Sequence, residues 1–197
     1  MNAKRILALF SVVAVAALAN AQKAEEPMSP KAMKATEAAA KRAVGKAGPA
    51  TIHTIIWEFN GNFGDVPAKM KEFGDQLEKQ KIARQREKPT AIVVLLEDPT
   101  GKQTFRLAVG VETQGTVKVK EPLKSEMYHM SKAAKISHTG PYEQLGAVHD
   151  AVAREAHGRK LKANSAGEWK PEIIKYLNDP TKVPPAERKS ELIEPVS

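Results

Sequence analysis

Five histidines, scattered carboxylates and no cysteine are the chemical raw material of this 197-residue chain. Without cysteine there are no disulfides, thiolate metal sites or cysteine nucleophiles. His149 and His157 stand eight residues apart on one expected helix, about two turns and too far for joint ligation, while His53 and His129 stand alone. His138 is read as bonding the turn around Gly140. No second histidine or carboxylate lies at ligand spacing in the chain, so no metal, haem or other cofactor is expected. Ser137 and Ser190 have no His–Asp partners at triad spacing, so no catalytic residue is assigned. Gly61 and Gly140 are single glycines at strand–helix turns, which do not make a phosphate cradle.

Reversible binding is the chemistry that remains. Trp57, Phe105, Tyr128, Trp169 and Tyr176 are most of the large aromatics outside the expected helices. On strands beside a groove they would supply flat apolar walls and cation–π faces. Each also has an ordinary place in a core or hairpin. Tyr176 leads, because its hydroxyl adds a polar handle, and Trp57 follows.

The elements that position these side chains come from an internal repeat. Asn60-Gly61-Asn62-Phe63 precedes one amphipathic stretch, and Thr139-Gly140-Pro141-Tyr142 precedes another, with the glycines 79 residues apart. Leu96-Glu97-Asp98-Pro99-Thr100 is echoed 81 residues later by Leu177-Asn178-Asp179-Pro180-Thr181. In the first half, Thr51 to Phe59 reads as a strand, and Val66, Met70, Phe73 and Leu77 form a helical stripe. Ala91 to Leu96 is a buried strand, and the alternation from Phe105 to Val111 its hairpin partner. In the second half, Ala133 to His138 is the leading strand, and Tyr142, Leu145, Val148, Val152 and Ala156 make the stripe. Glu172 to Leu177 and Lys189 to Val196 close the hairpin, and Val117-Lys118-Val119 is expected as a short crossover strand. The expected fold class is α+β. It has duplicated βαββ halves, about 51–112 and 133–196, related by pseudo-two-fold symmetry. The sheet is antiparallel with helices on one face and a ligand groove between the halves.

These residues carry a family resemblance. His138-Thr139-Gly140-Pro141-Tyr142-Glu143 with Leu145-Gly146 resembles the second-half opening of GyrI-like effector-binding domains. Tyr176-Leu177-Asn178-Asp179-Pro180, Pro184-Pro185 and Ser190-Glu191-Leu192 before Pro195-Val196 resemble their C-terminal signature. The resemblance covers roughly residues 50–197 and is strongest over 133–197. It implies a groove for small amphipathic or cationic organic molecules. Related domains are fused to AraC-type and MerR-type transcription regulators, a few relatives hydrolyse reactive ligands, and a more distant cousin binds haem. Carried over residue by residue, it makes Glu191 the groove carboxylate and adds weight to Tyr176. A carboxylate in an apolar groove is costly to desolvate without a cation, which makes it cation-selective. The competing place for Glu191 is a surface strand, paired with Lys189 or Arg106. The alternative function is a hydrolase with Glu191 as base and Tyr176 assisting. Glu194 departs from the family pattern by standing at a core position, so the last strand is expected to fray or shift there.

The net charge of +8 is spread along the chain and interleaved with acids, without a dense basic run or a nucleic-acid-binding signature, so nucleic acid is not expected as a partner. Residues 1–21 hold a basic start, an apolar stretch from Ile6 to Leu18 and Ala19-Asn20-Ala21, the three parts of a secretory signal. Cleavage is expected after Ala21, with export and no stable membrane insertion afterwards, since the apolar stretch is shorter than the ~20 residues of a span. Residues 22–49, rich in Ala, Lys, Glu and Pro, are expected as a flexible or partly helical tether, and 50–197 as the domain. The expected partner is a small organic molecule, with no DNA-binding segment of the chain's own and no protein partner assigned.

Overall fold

The computed structural model describes residues 28–82, 90–164, 169–179 and 182–197. The expected signal segment, the first residues of the tether, and Pro180 and Thr181 of the second Asp-Pro turn lie outside the described residues.

Thr51, Ile52, Thr54, Ile55 and Ile56 are β-branched, favour extended backbone and lie in β1 (Gly48–Gly61). Asn62 ends that strand and caps the turn that follows: its side chain accepts from the Gly64 N–H at 2.7 Å, and Asp65 accepts from the Asn62 N–H at 2.9 Å. A second helix enters from this turn; the first, α1 (Pro30–Gly45), precedes β1. In α2 (Val66–Lys79) the stripe of Val66, Met70, Phe73 and Leu77 is buried. Then come β2 (Ala91–Leu95), β3 (Phe105–Thr113) and β4 (Lys124–Thr139). α3 (Leu145–Gly158), β5 (Glu172–Tyr176) and β6 (Lys189–Pro195) complete the chain. Around the turn into α3, the His138 ring lies 3.3 Å from the Pro141 carbonyl oxygen.

The sheet is antiparallel, as expected, but it closes into a six-stranded barrel in the order β1-β3-β2-β5-β6-β4. Its strands are apolar on both faces, and that explains the closure. Ile55, Val93, Leu95, Leu107, Val109, Ile136, Ile174 and Leu192 share one cluster with the helices. Ile52, Ile56, Ile92, Val94, Ala108, Met130, Ala133, Ile173 and Ile193 form a second cluster with no helical residue, which fills the barrel. An open sheet would leave this second face to water. β4 makes the closure possible. Residues 124–130 pair with β1 and residues 133–139 with β6, and the register shifts by one residue opposite Pro49, between Gly48/Ala133 and Ala50/Met130. An extra residue of this kind bends a strand, and Pro49 has no N–H to lose from the ladder.

Three expectations are corrected in whole or in part. The expected flexible or partly helical tether over 22–49 is helical from Pro30 to Gly45, as α1, and this helix is docked on the fold where only a weakly docking one was expected. Ser29 caps it by accepting from the Ala32 N–H, Ala40 and Val44 are buried, and Arg159 donates to the Lys41 carbonyl. Its alanine stripe lets it approach α3 and β4 closely, which compensates for the lack of large apolar side chains. Val117 to Val119 is not a strand; the Val117 N–H donates instead to the Ser125 hydroxyl. The last strand does not fray at Glu194, which pairs with Ala134 in register and is fully buried. Among the described residues no helix is long and apolar enough to cross a membrane.

The tightest point of the barrel is Gly110, opposite Ile56, where an added Cβ would lie 2.2 Å from the Ile55 carbonyl oxygen. Gly110→Ala is expected to destabilise the protein by about 3 kcal/mol or more. Gly158→Ala, at the last residue of α3 with open space around it, should be neutral or stabilising by up to ~1 kcal/mol. Urea denaturation of the two variants checks the contrast.

Candidate functional site

Outside the barrel, where the sheet meets α3 and the turn before α2, lies a cleft of about 370 Å³. The first half contributes Phe63, Leu95, Pro99 and Thr100, and the second half Tyr142, His149, Glu172, Ile174 and Tyr176, with Trp169 from the loop before β5. Its walls are aromatic. Tyr142 and Tyr176 meet edge to face at 4.8 Å, and Trp169 lies 6.0 Å from the His149 ring. Trp169 is fixed by its indole N–H, which donates to the Leu95 carbonyl at 3.1 Å. Burial raises the Tyr176 hydroxyl well above its ordinary pKa and lifts that of Tyr142 to about 12. Both therefore stay protonated donors, and the buried Tyr142 hydroxyl has no hydrogen-bond partner among the described residues.

The floor is ionic. β5 and β6 pair with Ile173 opposite Ile193, so one step along the same register puts Glu172 and Glu194 side by side on the helix-facing side. Like charges in such positions repel, and here both are almost wholly buried, with side-chain exposures of 3% and 0%. His149 of α3 answers them. Its Nδ1 lies 2.9 Å from Glu172 Oε2 and 3.4 Å from Glu194 Oε2. Burial of the ring works against its charge, but hydrogen bonding and attraction to the two carboxylates prevail and raise its pKa to about 11. Burial pushes the Glu194 carboxyl up, against the pull of His149. Besides His149, the Asn164 backbone N–H approaches Glu194, and among the described residues neither Glu194 oxygen has a hydrogen-bond partner of good geometry. One imidazolium thus faces two carboxylates, and Glu194 is the surplus.

The structure sorts the expected site residues. Tyr176 and Trp169 line the cleft. Phe105 is buried behind it, 5.3 Å edge to face from Phe63. Trp57 lies on β1 under the Lys69 ammonium, 4.6 Å from its ring, and is not part of the cleft lining. Tyr128 packs against the barrel-filling cluster. Glu191 pairs with Lys175 and Ser137, on the face opposite Tyr176 and Ser190, so it points away from the cleft. Its carboxylate lies 3.8 Å from Lys175 Nζ, which also contacts Glu112 at 2.8 Å. The expectation of Glu191 near Tyr176 and Trp57 fails because adjacent residues of a strand face opposite ways.

The carboxylates that do reach this side are Glu172 and Glu194, with His149 between them. The expected sequence offsets held a signal for them. At the 79-residue offset the α2 stripe of Val66, Met70, Phe73 and Leu77 falls on Leu145, His149, Val152 and Ala156, so His149 stands where the first half has Met70. Glu172 falls on Ala91 at the 81-residue offset, and Ala91 is paired with Val111 as Glu172 is aligned with Glu194. Met70, Ala91 and Val111 are apolar where His149, Glu172 and Glu194 are ionisable, and these last three converge.

The family model of the GyrI-like small molecule binding domain matches residues 51–197. The chain belongs to the GyrI-like family. Its fold is shared with an uncharacterised conserved protein of Listeria innocua, at 14% identity and TM-score 0.56 over 76% of this chain and 92% of that one. A protein described as a hydrolase from Listeria innocua gives 14% identity and TM-score 0.55 over the same shares. The C-terminal domain of EcmrR gives 12% and 0.59 over 77% of this chain and 97% of that one. At these identities the likeness is one of fold. No curated protein sequence matches the chain.

An unmatched buried carboxylate makes this floor costly to the fold. With divalent cations chelated, Glu194→Leu should raise stability by about 1–3 kcal/mol. His149→Leu, which leaves two adjacent buried carboxylates without a cation, should lower it by about 3–5 kcal/mol. Chemical denaturation of both variants measures the two signs.

Proposed function

We propose that this GyrI-like domain binds a small amphipathic organic cation reversibly in the cleft, and that it does so outside the cytoplasm after loss of residues 1–21. The observation that carries the reading is the combination of aromatic walls with a carboxylate surplus beneath them. An aryl or alkyl group gains by leaving water between Phe63, Trp169, Tyr142 and Tyr176. A positive head lowered toward Glu172 meets the uncompensated charge of the floor in a medium of low dielectric. A neutral ligand of the same shape gains only the first contribution. We read the two βαββ halves as duplicated units, with the site built where they meet and charged in one half alone. The basic, apolar and Ala-x-Ala order of the first residues supports export, and an intact mass starting at Gln22 for exported protein is its test.

Titration of Trp169 fluorescence with phenyltrimethylammonium and its neutral isostere tert-butylbenzene tests the binding. The cation should bind more tightly, and Glu172→Gln should weaken it by about 1.5–3 kcal/mol, roughly 10- to 150-fold. The neutral compound should lose much less, and the cation should be recovered unchanged. Equal losses for both compounds would contradict charge recognition.

A further inference from the structure

We propose that His149, Glu172 and Glu194 form a binding site for a single divalent transition-metal ion, with zinc the best fit, opening onto the cleft. This goes beyond the organic-ligand reading and does not rest on it. His149 Nδ1 and one carboxylate oxygen from each glutamate lie within 4.8 Å of one another. The closest separations are 2.9 Å from Nδ1 to Glu172 and 3.4 Å from Nδ1 to Glu194. Tetrahedral zinc bonds of about 2.0–2.2 Å put neighbouring ligands roughly 3.3–3.6 Å apart, so the Glu194 separation fits as it stands and the Glu172 carboxylate need only move back by about 0.5 Å. The three donors come from three packed elements, α3, β5 and β6, and so are held with little freedom.

A second observation points to a missing cation. Glu194 is fully buried, and among the described residues its oxygens have only the His149 ring, 3.4 Å away, and the Asn164 backbone N–H beside them, neither in good hydrogen-bond geometry. A buried carboxylate so poorly supplied with donors is rare in a native fold and calls for an ion or water. A divalent cation would supply contacts to both carboxylates at once. With neutral imidazole, two carboxylates and a doubly charged ion, the floor would carry no net charge.

The donor set selects the class of ion. One imidazole with carboxylates and no thiolate suits zinc, iron, manganese or nickel better than the oxygen-only preferences of magnesium and calcium. Three protein ligands leave at least one position free, the arrangement of an open site and not of a closed structural one. His149 and Glu172 both line the cleft, so that position faces it.

Chelator-treated mature chain, titrated calorimetrically with zinc and optically with cobalt(II), tests this without any organic compound. One equivalent of each metal should bind, with visible cobalt bands of a four- or five-coordinate site that zinc abolishes. Glu194→Leu and His149→Leu should each weaken binding by about 100-fold or more, since even partners that only orient metal ligands are worth 10- to 100-fold. His129→Leu, which removes an exposed ring contacting Thr51 and far along the chain from the site, should change nothing. Zinc should also raise the melting temperature of the wild type but not of Glu194→Leu, a variant expected to fold. Absence of a one-equivalent site, or binding that survives Glu194→Leu, would overturn the proposal and leave the histidine as an imidazolium bridge. Because bound metal would neutralise the floor, the phenyltrimethylammonium titration is run on the chelator-treated chain, and there the two readings fail separately.

Discussion

The β5–β6 register holds Glu172 and Glu194 on neighbouring strands with their side chains on the same buried side. The fold cannot separate them, because sliding either strand by one residue would turn Ile174 and Leu192 out of the helix-facing core and Ile173 and Ile193 out of the barrel. Two buried carboxylates this close demand positive charge. A single residue on α3 provides it, and α3 is placed by Leu145, Val148, Val152 and Ala156 packing on the sheet. The position of the helix, the charge of the floor and the character of the cleft are therefore one linked problem. The residual imbalance at Glu194 is costly to the fold, since an apolar residue would sit there at lower cost.

The rest of the architecture keeps that floor dry and rigid. Barrel closure gives the sheet an interior of its own, so the helices pack on a wall with little freedom to breathe. Trp169 covers one side of the site and is held by its bond to Leu95 on β2. The Tyr142–Tyr176 pair closes another, with the Arg188 guanidinium 5.4 Å from the Tyr142 ring on the far side of the cluster. Helix α1 braces α3 from behind through Ala40 and Val44, so a segment outside the family-matched residues 51–197 packs on the helix that carries His149.

Much of the fold was legible because periodicity is read directly from residue type. The buried stripe of α2 is the one its spacing predicts, and strands appear at or near each of the six expected hairpin and leading positions, although β4 begins at Lys124, nine residues before the expected Ala133. Barrel closure was harder to see. Ala91-Ile92-Val93-Val94-Leu95 says that both faces of a strand are apolar, but not which neighbour covers each of them. The alanine stripe of α1 carries too little apolar area to announce a docked helix. The site divided along the same line. Tyr176, chosen for its hydroxyl and its place in a motif, and Trp169, chosen as an aromatic, line the cleft, whereas Glu191, also chosen from a motif, is turned away from it by strand parity. Its register partner Lys175 shares its face, while Glu194, three residues later, faces the helices. His149, Glu172 and Glu194 are far apart in sequence and meet only through the register of β5 and β6 under α3. A polar residue at a core position was the visible clue, and the strand absorbs it by burying it beside a histidine.

The central claim is that the charge of this floor, together with the aromatic walls, selects what enters the cleft. A crystal structure of the protein with phenyltrimethylammonium tests it most directly. The account predicts the ammonium group directed at Glu172, with the phenyl ring among Trp169, Tyr142 and Tyr176. A cation bound instead at Glu191 and Glu112 on the opposite side of the sheet, with the cleft empty, would contradict it.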